Sequence, residues 1–487
     1  MKSKILINAV DHEEIRMAKV TDSQLSEFHI ESTTREVTQG NIYKGTITRI
    51  EPSLQAVFID YGAERNGFLQ KHEIHSDYYQ DSPKGTRNIR SLLREGQELL
   101  VQVAKDPIGK KGSMLTTFLS LPGRYLVLMP GNDNRGISRK IEDEKERKRL
   151  KEIVHGLKLP EGFGVIIRTA GIKCTKTLLN KDLNYLMRLW KSIKGNVMKV
   201  STPHQMYKER NLVVRVIRDY LTPDVTEILI DDEAAFQEVK EFVSLHSPKH
   251  KKIVRNYRGD KPVFSKFQLE DQIASIYRPQ VPLKSGGSIV IQQTEALVSI
   301  DVNSGKGTQK ESIEQTALMT NLEAAEEIAR QLRLRDMGGL IVLDFIDMRE
   351  AKHKQQVERT LKTNLKADKA RSKVGRISQF GLLEMSRQRI RPAIDFSNFE
   401  TCPHCRGKGQ IPSIESMGLS FLRQLNHKTL KQGYSVARGA VPPAVAEYLL
   451  NKKRRELVEL ERRRSVAIAI EGDPTLSPGD NRIVLDK

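Results

Sequence analysis

The sequence predicts a multidomain α/β protein, and three observations carry that expectation. At 487 residues the chain exceeds what one ordinary core organises, so two to four domains are expected. In its second half, apolar strand-like runs alternate with amphipathic helices, the order of an α/β layer. The charge balance of 81 − 61 = +20 asks for a polyanionic partner. Nucleic acid fits that excess better than an anionic membrane surface, and solubility alone needs far less.

Hydrophobic residues at 38% and charged residues at 29% suit a soluble globular protein with a large polar surface. No run of about 18 apolar residues is present, so no membrane span is expected. The opening "MKSKILINAVDHEEIRM" reads as a strand, because acidic residues follow its apolar stretch at once. The three cysteines, Cys174, Cys402 and Cys405, are too few for a disulfide scaffold and point to a reducing cytosol.

Each element follows in order. Residues 4–9, 14–20 and 25–31 form short apolar or alternating runs, a three-strand meander. From residue 42, "IYKGTITRI", "LQAVFIDYG", "NGFLQ", "ELLVQVAKD" and "SMLTTFLSL" are five short strands with Gly-bearing turns, the pattern of a small OB-type barrel. Phe58, Tyr61 and Phe68 are its candidates for stacking unpaired bases, with Lys44, Lys105, Lys110 and Lys111 as phosphate partners. On alternation alone the phenylalanines read as core more readily than as stacking residues. Residues 138–157 read as a charged, solvated amphipathic helix. "GFGVIIRTAG" is a buried strand whose end, Arg168, Thr169 and Gly171, can grip a phosphate or cap the next helix. Residues 212–278 alternate strand and helix. "SIVIQQTEALVSIDVNSGKG" holds two strands, followed by a long helix that stops at Gly338 and Gly339. "LIVLDFIDM" reads as a buried strand, then a helix runs from about 350 to 367. Residues 414–487 offer a helix, a basic helix ("YLLNKKRRELVELERRR") and two short strands.

Asp301 and Asn303 are two apart on a strand, so they share a face. Asp344 sits in a second apolar strand. A carboxylate buried in a strand must be paired or bind a metal, and two with an amide beside them suit magnesium. The alternative is that both carboxylates cap strand ends. Asp347, three residues after Asp344, points to the other face if the strand is regular. Cys402 and Cys405 have the spacing of half a zinc site. Cys174, His404 and His427 are the other ligands this chain offers, and an unmetallated thiol pair is the remaining alternative.

"NIYKGTITRIEPSLQAVFIDYGAERNGFL", "IIRTAG", "SIDVNSG", "NLEAAEEIARQLRLRDMGGLIVLDFIDM", "FGLLEMSRQR" and "CPHCRGKG" together resemble the ribonuclease E/G family of bacterial endoribonucleases. The likeness runs over almost the whole chain in the family's order and is weakest in the last 70 residues. Within the family it resembles the shorter ribonuclease G type, because no long C-terminal scaffold region follows. The resemblance implies that Asp301 and Asp344 bind a catalytic magnesium and that Asn303 contacts the scissile phosphate. It implies hydrolysis of single-stranded, AU-rich RNA to 5′-phosphate and 3′-hydroxyl ends, in rRNA 5′-end maturation and mRNA turnover. Phe58, Phe68 and Lys111 match RNA-contacting positions of the family's OB fold. Gly123, Val127, Arg139, Arg168, Thr169 and Arg371 match its 5′-phosphate sensor, whence a preference for 5′-monophosphate RNA. Cys402 and Cys405 match a zinc link in which two chains give two thiolates each, making a homodimer and leaving a tetramer open.

The same resemblance implies the domain plan. A ribonuclease H-like subdomain is split between 1–36 and 214–277, with an OB fold (37–119) and a 5′ sensor (120–213) inserted. A deoxyribonuclease I-like catalytic domain (278–399), the zinc link (400–415) and a small α+β dimerising domain (416–487) follow. A bacterial cytoplasmic location goes with it. The rival reading is a non-catalytic RNA-binding protein or RNA chaperone, which needs no Asp301, Asn303 and Asp344 on neighbouring strands.

Overall fold

The computed structural model describes all residues except 1, 12, 33–37, 81–87, 108–111, 210, 306–312, 390–400 and 431–432. The chain divides into two compact units, residues 1–393 and 394–487. No helix among the described residues is long and apolar enough to cross a membrane.

In the first unit the opening meander forms as expected, over Ser3–Asn8, Glu14–Thr21 and Gln24–Ser32. Its sheet is completed by strands some 200 residues later. Val225–Ile230 lies parallel to Ser3–Asn8, with Val254–Asn256 beyond it. Ile5, Ile7, Ile228 and Ile230 pack there against Val214, Ile217, Val239 and Val243 of two helices, Leu212–Tyr220 and Glu233–His246.

The chain between those halves makes a closed barrel. Ile42–Glu51, Ala56–Asp60, Gly67–Gln70, Met114–Thr116 and Glu98–Lys105 pair in that order, and Glu98–Lys105 pairs back to Ile42–Glu51. All five expected strands are present, and Ile47, Val57, Ile59, Leu69, Val101 and Leu115 fill the interior. A further strand, His204–Tyr207, joins from outside. Beside the barrel, a four-stranded sheet over residues 121–167 packs on Glu144–His155 and Lys176–Val197. The first of these helices begins at 144 rather than 138. Asp143 accepts from the N–H groups of Lys145 and Glu146, and a carboxylate cap sets the start.

The last sheet of this unit orders Gln280–Pro282, Ser288–Gln293, Leu297–Asn303, Gly339–Asp344, Leu382–Arg387 and Ser372–Ile377. Leu297–Asn303 and Gly339–Asp344 run parallel, joined through the long helix Ile313–Leu334. That helix and Ala351–Leu365 cover one face, where Ile300, Val302, Ile341, Leu343 and Leu383 are buried. The other face is open, so Gly339–Asp344 is not the doubly buried strand its run of apolar residues suggested. Leu340 is 62% exposed on it.

The long helix also holds the chain that follows Asp344. Asn321, fully buried, accepts from Ile346 N–H and donates to its carbonyl. Glu314 accepts from the N–H groups of Arg349 and Glu350 and from the His353 ring. Those bonds hold the Glu314 carboxyl at about 2, against an ordinary 4.5.

The second unit carries a three-stranded sheet, Val436–Val441 between Ala467–Gly472 (parallel) and Arg482–Asp486 (antiparallel). Helix Ile414–Lys428 precedes it. The expected basic helix is two, Pro443–Lys452 and Arg454–Arg464, separated at Lys453, and a third strand joins the two expected. Leu449, Leu457 and Leu460 point into the core from both sides of that break.

A depressed carboxyl pKa contributes stability above its unfolded value and loses it as pH falls through the folded one. In Glu314→Gln, the fall in thermal midpoint between about pH 4.5 and about pH 2 should therefore be shallower. Equal slopes for the two proteins would reject the tie.

Candidate catalytic and nucleic-acid-binding sites

Sheet register brings the acidic residues together. Asp301 and Asp344 are direct partners on neighbouring parallel strands, and Asn303 Nδ2 donates to Asp301 Oδ2 at 2.8 Å. All three are exposed at the C-terminal ends of their strands. Partial desolvation and like charge held side by side both disfavour ionisation of Asp344. Desolvation first, then the charges of Asp301 and Asp347, push the Asp344 carboxyl above its usual range. The strand ends at Asp344, and Asp347 acts on that carboxyl only as the smallest of the three causes. A cluster of uncompensated oxygen donors at a strand end fits a hard divalent cation. Among the described residues no group of three or more His, Cys, Asp or Glu has metal-binding geometry. Asp301 and Asp344 would therefore hold such an ion as a pair, its remaining positions left to water and substrate.

The barrel presents two aromatic rings on its outer surface. Phe58 and Phe68 are cross-strand partners, half-buried, with ring centroids 5.7 Å apart. Arg49, which the sequence reading passed over, lies over the Phe58 ring at 4.5 Å. Tyr61 is not a stacking residue: it is 4% exposed and donates to Ser113 Oγ from inside the barrel. Lys44 is likewise no phosphate partner, because its ammonium is buried between Val200 O and Glu98. Lys105 is exposed, while Lys110 and Lys111 lie outside the described residues.

The expected phosphate-sensing residues converge in part. Arg168 Nη1 donates to Gly123 O at 2.7 Å, and Arg168 leaves the strand Phe163–Ile167 just before Thr169. Val127 pairs with Ile166 in the adjoining strand and is half-buried. Asp182 accepts from the N–H groups of Arg124, Tyr125 and Leu126, which shapes the loop at Gly123. A side chain at Gly123 would put its Cβ 2.6 Å from Asp182 Oδ2, so only glycine fits.

Three residues not foreseen complete this corner. Asp219 pairs with Arg168 at 2.5 Å and with Arg218 at 3.1 Å. Lys369 stands 3.0 Å from the Tyr220 ring centroid. Lys140 donates to the carbonyls of Asp368 and Ala370, which holds the loop that leads to Arg371. Arg139, the expected sensor residue beside Lys140, is exposed. A lysine or aspartate within mixed charged sequence carries no periodic signal, so only tertiary contact reveals these roles.

In the second unit, Cys402 and Cys405 sit on a tight turn closed by Arg406 N–H to Cys402 O and Lys408 N–H to Cys405 O. The N–H groups of Gly409 and Gly407, with the Cys402 side chain, hold the Cys405 thiol below its usual pKa. That favours the thiolate, the ligating form. Two such sulfurs fit half of a tetrahedral zinc site. Cys174 does not complete it: the residue is 7% exposed in the core of the first unit, and burial pushes its thiol up.

Comparison with known proteins follows the same division. Residues 120–390 match the model of the ribonuclease E/G family, 401–485 that of its thioredoxin-like domain, and 36–105 the S1 RNA binding domain. Ribonuclease E of Haemophilus influenzae is 48% identical over 96% of this chain and 50% of that protein. Ribonuclease E of Escherichia coli is 47% identical over 95% and 44%. Ribonuclease G of Escherichia coli is 37% identical over 95% of both chains. The chain thus spans about half the length of the ribonuclease E relatives and nearly all of ribonuclease G.

A carboxyl with a raised folded pKa adds stability below its unfolded value and loses it as pH rises through the folded one. In metal-free protein, the Asp344 carboxyl should titrate above the ordinary 3.8 by carboxyl ¹³C NMR, and Asp301→Asn should bring it down. No change in that variant would show that the two charges do not face each other.

Proposed function

The chain belongs to the ribonuclease E/G family, and on that premise we propose that it is a magnesium-dependent endoribonuclease of single-stranded RNA. The register of Asp301 with Asp344, with Asn303 on the same face, is the observation that carries this reading. When bound there, magnesium would activate the attacking water and offset charge on the phosphate. Asp301 and Asp344 would hold it, and Asn303 would orient a phosphate oxygen through its amide. The open sheet face admits a strand of RNA without displacing a helix.

The barrel would grip the substrate upstream or downstream of the cut. Phe58 and Phe68 offer paired ring faces to unpaired bases, and Arg49 adds a cation beside them. Such stacking reads sequence weakly, which suits AU-rich, unstructured substrates in rRNA 5′-end maturation and mRNA turnover.

The corner of Gly123, Val127, Arg168, Thr169 and Arg371 would take the RNA's 5′-monophosphate. Arg168 keeps donors beyond those used on Gly123 O and Asp219, and Thr169 adds a hydroxyl. A triphosphate is larger and brings more charge toward Asp219, so the monophosphate is preferred. Cys402 and Cys405 would each give a thiolate to a zinc shared with a second chain. That makes a homodimer, the unit from which a tetramer would be built. The cytoplasm, reducing and rich in RNA, is the proposed location.

A short AU-rich RNA with a 5′-monophosphate or a 5′-hydroxyl tests the catalytic reading. Asp344→Ala should lower magnesium-dependent cleavage about 10²–10⁴-fold, several kcal/mol at about 1.4 per tenfold. Tight binding with no cleavage by the intact protein would instead leave a non-catalytic RNA-binding protein. Arg168→Ala should cut the two RNAs at equal rates, and an undiminished preference would remove the sensor. Metal analysis should give one zinc per two chains, with Cys405→Ser losing both zinc and dimer; one zinc per chain would refute the shared site.

A further inference from the structure

The turn beside the carboxylate pair exposes an aromatic ring that the fold does not use. Phe380 is 75% exposed, whereas Phe28, Phe264 and Phe421 are among the largest fully buried side chains. It belongs to the "FGLLEMSRQR" segment, and neither the barrel nor the sensor corner accounts for it.

Its position is set by backbone, not by chance. Ser378 N–H donates to Leu382 O at 2.8 Å, Gly381 N–H to Ser378 O at 3.2 Å, and Phe380 N–H to Ser378 Oγ at 3.2 Å. Gly381 takes φ +81°, and a Cβ there would lie 3.2 Å from Asp347 Oδ1 and 3.8 Å from Phe345 O. The turn therefore packs against the chain that leaves Asp344. Leu382, two residues on, is the register partner of Asp344 itself. Two residues of chain span at most about 7 Å, so Phe380 stands at the end of the sheet that carries Asp301, Asn303 and Asp344.

We propose that Phe380 is the stacking platform for an unpaired base of the RNA next to the phosphate held at Asp301 and Asp344. The inference rests on the endoribonuclease reading and deepens it. A flat apolar ring presented rigidly at a phosphate-handling site suits a nucleobase, because every base has a π-face. A base can reach the ring only when it is unpaired and turned out of a helix, so Phe380 would select single strands at the point of cleavage. Clamping the adjoining base also holds the phosphate in register with the carboxylates, where small misplacement is costly in rate. The barrel pair, Phe58 and Phe68, would bind the strand elsewhere and lacks this link to the reacting group.

The test uses the full chain, a short single-stranded RNA and magnesium. Phe380→Ala and Phe380→Leu should lower kcat/KM by about 5- to 150-fold, the worth of one stacked base, and Phe380→Trp should restore most of it. An abasic nucleotide scanned along the RNA should slow the intact protein at one position beside the cut and leave Phe380→Ala unaffected there. Phe380→Leu matching the intact protein would overturn the proposal. A second readout does not need cleavage: 2-aminopurine at that position, bound to Asp344→Ala chain, should change fluorescence, and the added Phe380→Ala should abolish the change. Loss of cleavage with the fluorescence change kept would sink the catalytic reading alone. Unaltered cleavage and fluorescence in Phe380→Ala, with altered sedimentation, would assign the ring to a protein contact instead and refute stacking.

Discussion

Two like charges held side by side are the constraint around which the first unit is organised. Asp301 and Asp344 occupy facing positions on adjacent strands, and the Asp301 charge helps to push the Asp344 carboxyl above its usual range. The strands cannot slip to relieve it. Ile300, Val302, Ile341 and Leu343 alternate with the carboxylates and are locked under the two covering helices. A one-residue shift would turn that whole apolar set to solvent. Asn321 and Glu314 then fasten the chain just past Asp344 to the long helix. Apolar packing on one face of the sheet thus sustains an electrostatic tension on the other, which a bound cation would relieve.

A second buried interaction joins the sheet that carries Asp301 and Asp344 to the loop before Arg371. Arg387, on the strand that pairs with Gly339–Asp344, is 2% exposed at its side chain and forms an ion pair with Asp368 at 2.6 Å. It also donates to Asp336 and to Met337 O, beside the start of Gly339–Asp344. Removing one member of such a pair costs about 3–5 kcal/mol, because the other is left buried and charged. Asp368 opens the short loop that Lys140 grips by its carbonyls and that ends at Arg371. Asp368 and Lys140 thus tie that loop both to the sheet and to the residues beside Arg139.

The barrel shows why some side chains were legible and others were not. Its five strands follow from alternation and glycine turns, which are local properties of the chain. Which aromatic faces water depends on how the sheet closes: Phe58 and Phe68 fall outside, while Tyr61 is enclosed with Ser113. Lys44 looked like a phosphate contact on charge alone, yet a strand from residues 204–207 covers its face and Glu98 neutralises it. Strand parity says nothing about Asp347, because the strand stops at Asp344.

By itself the sequence determined most strands and helices, the barrel strands, the carboxylate of Asp301 and the amide of Asn303 on one face, and the half-site spacing of Cys402 and Cys405. Those are matters of period and spacing, and they are written within a few residues of each other. Tertiary structure alone decided that Asp301 stands opposite Asp344, that Asp219 already occupies one side of Arg168, and that Lys140 donates to the carbonyls of Asp368 and Ala370. It also decided that Phe380 is left in water at the end of the sheet that carries Asp301 and Asp344. Each of these depends on elements 40 to 230 residues apart meeting in one register, and burial of apolar surface, not local preference, chooses that register.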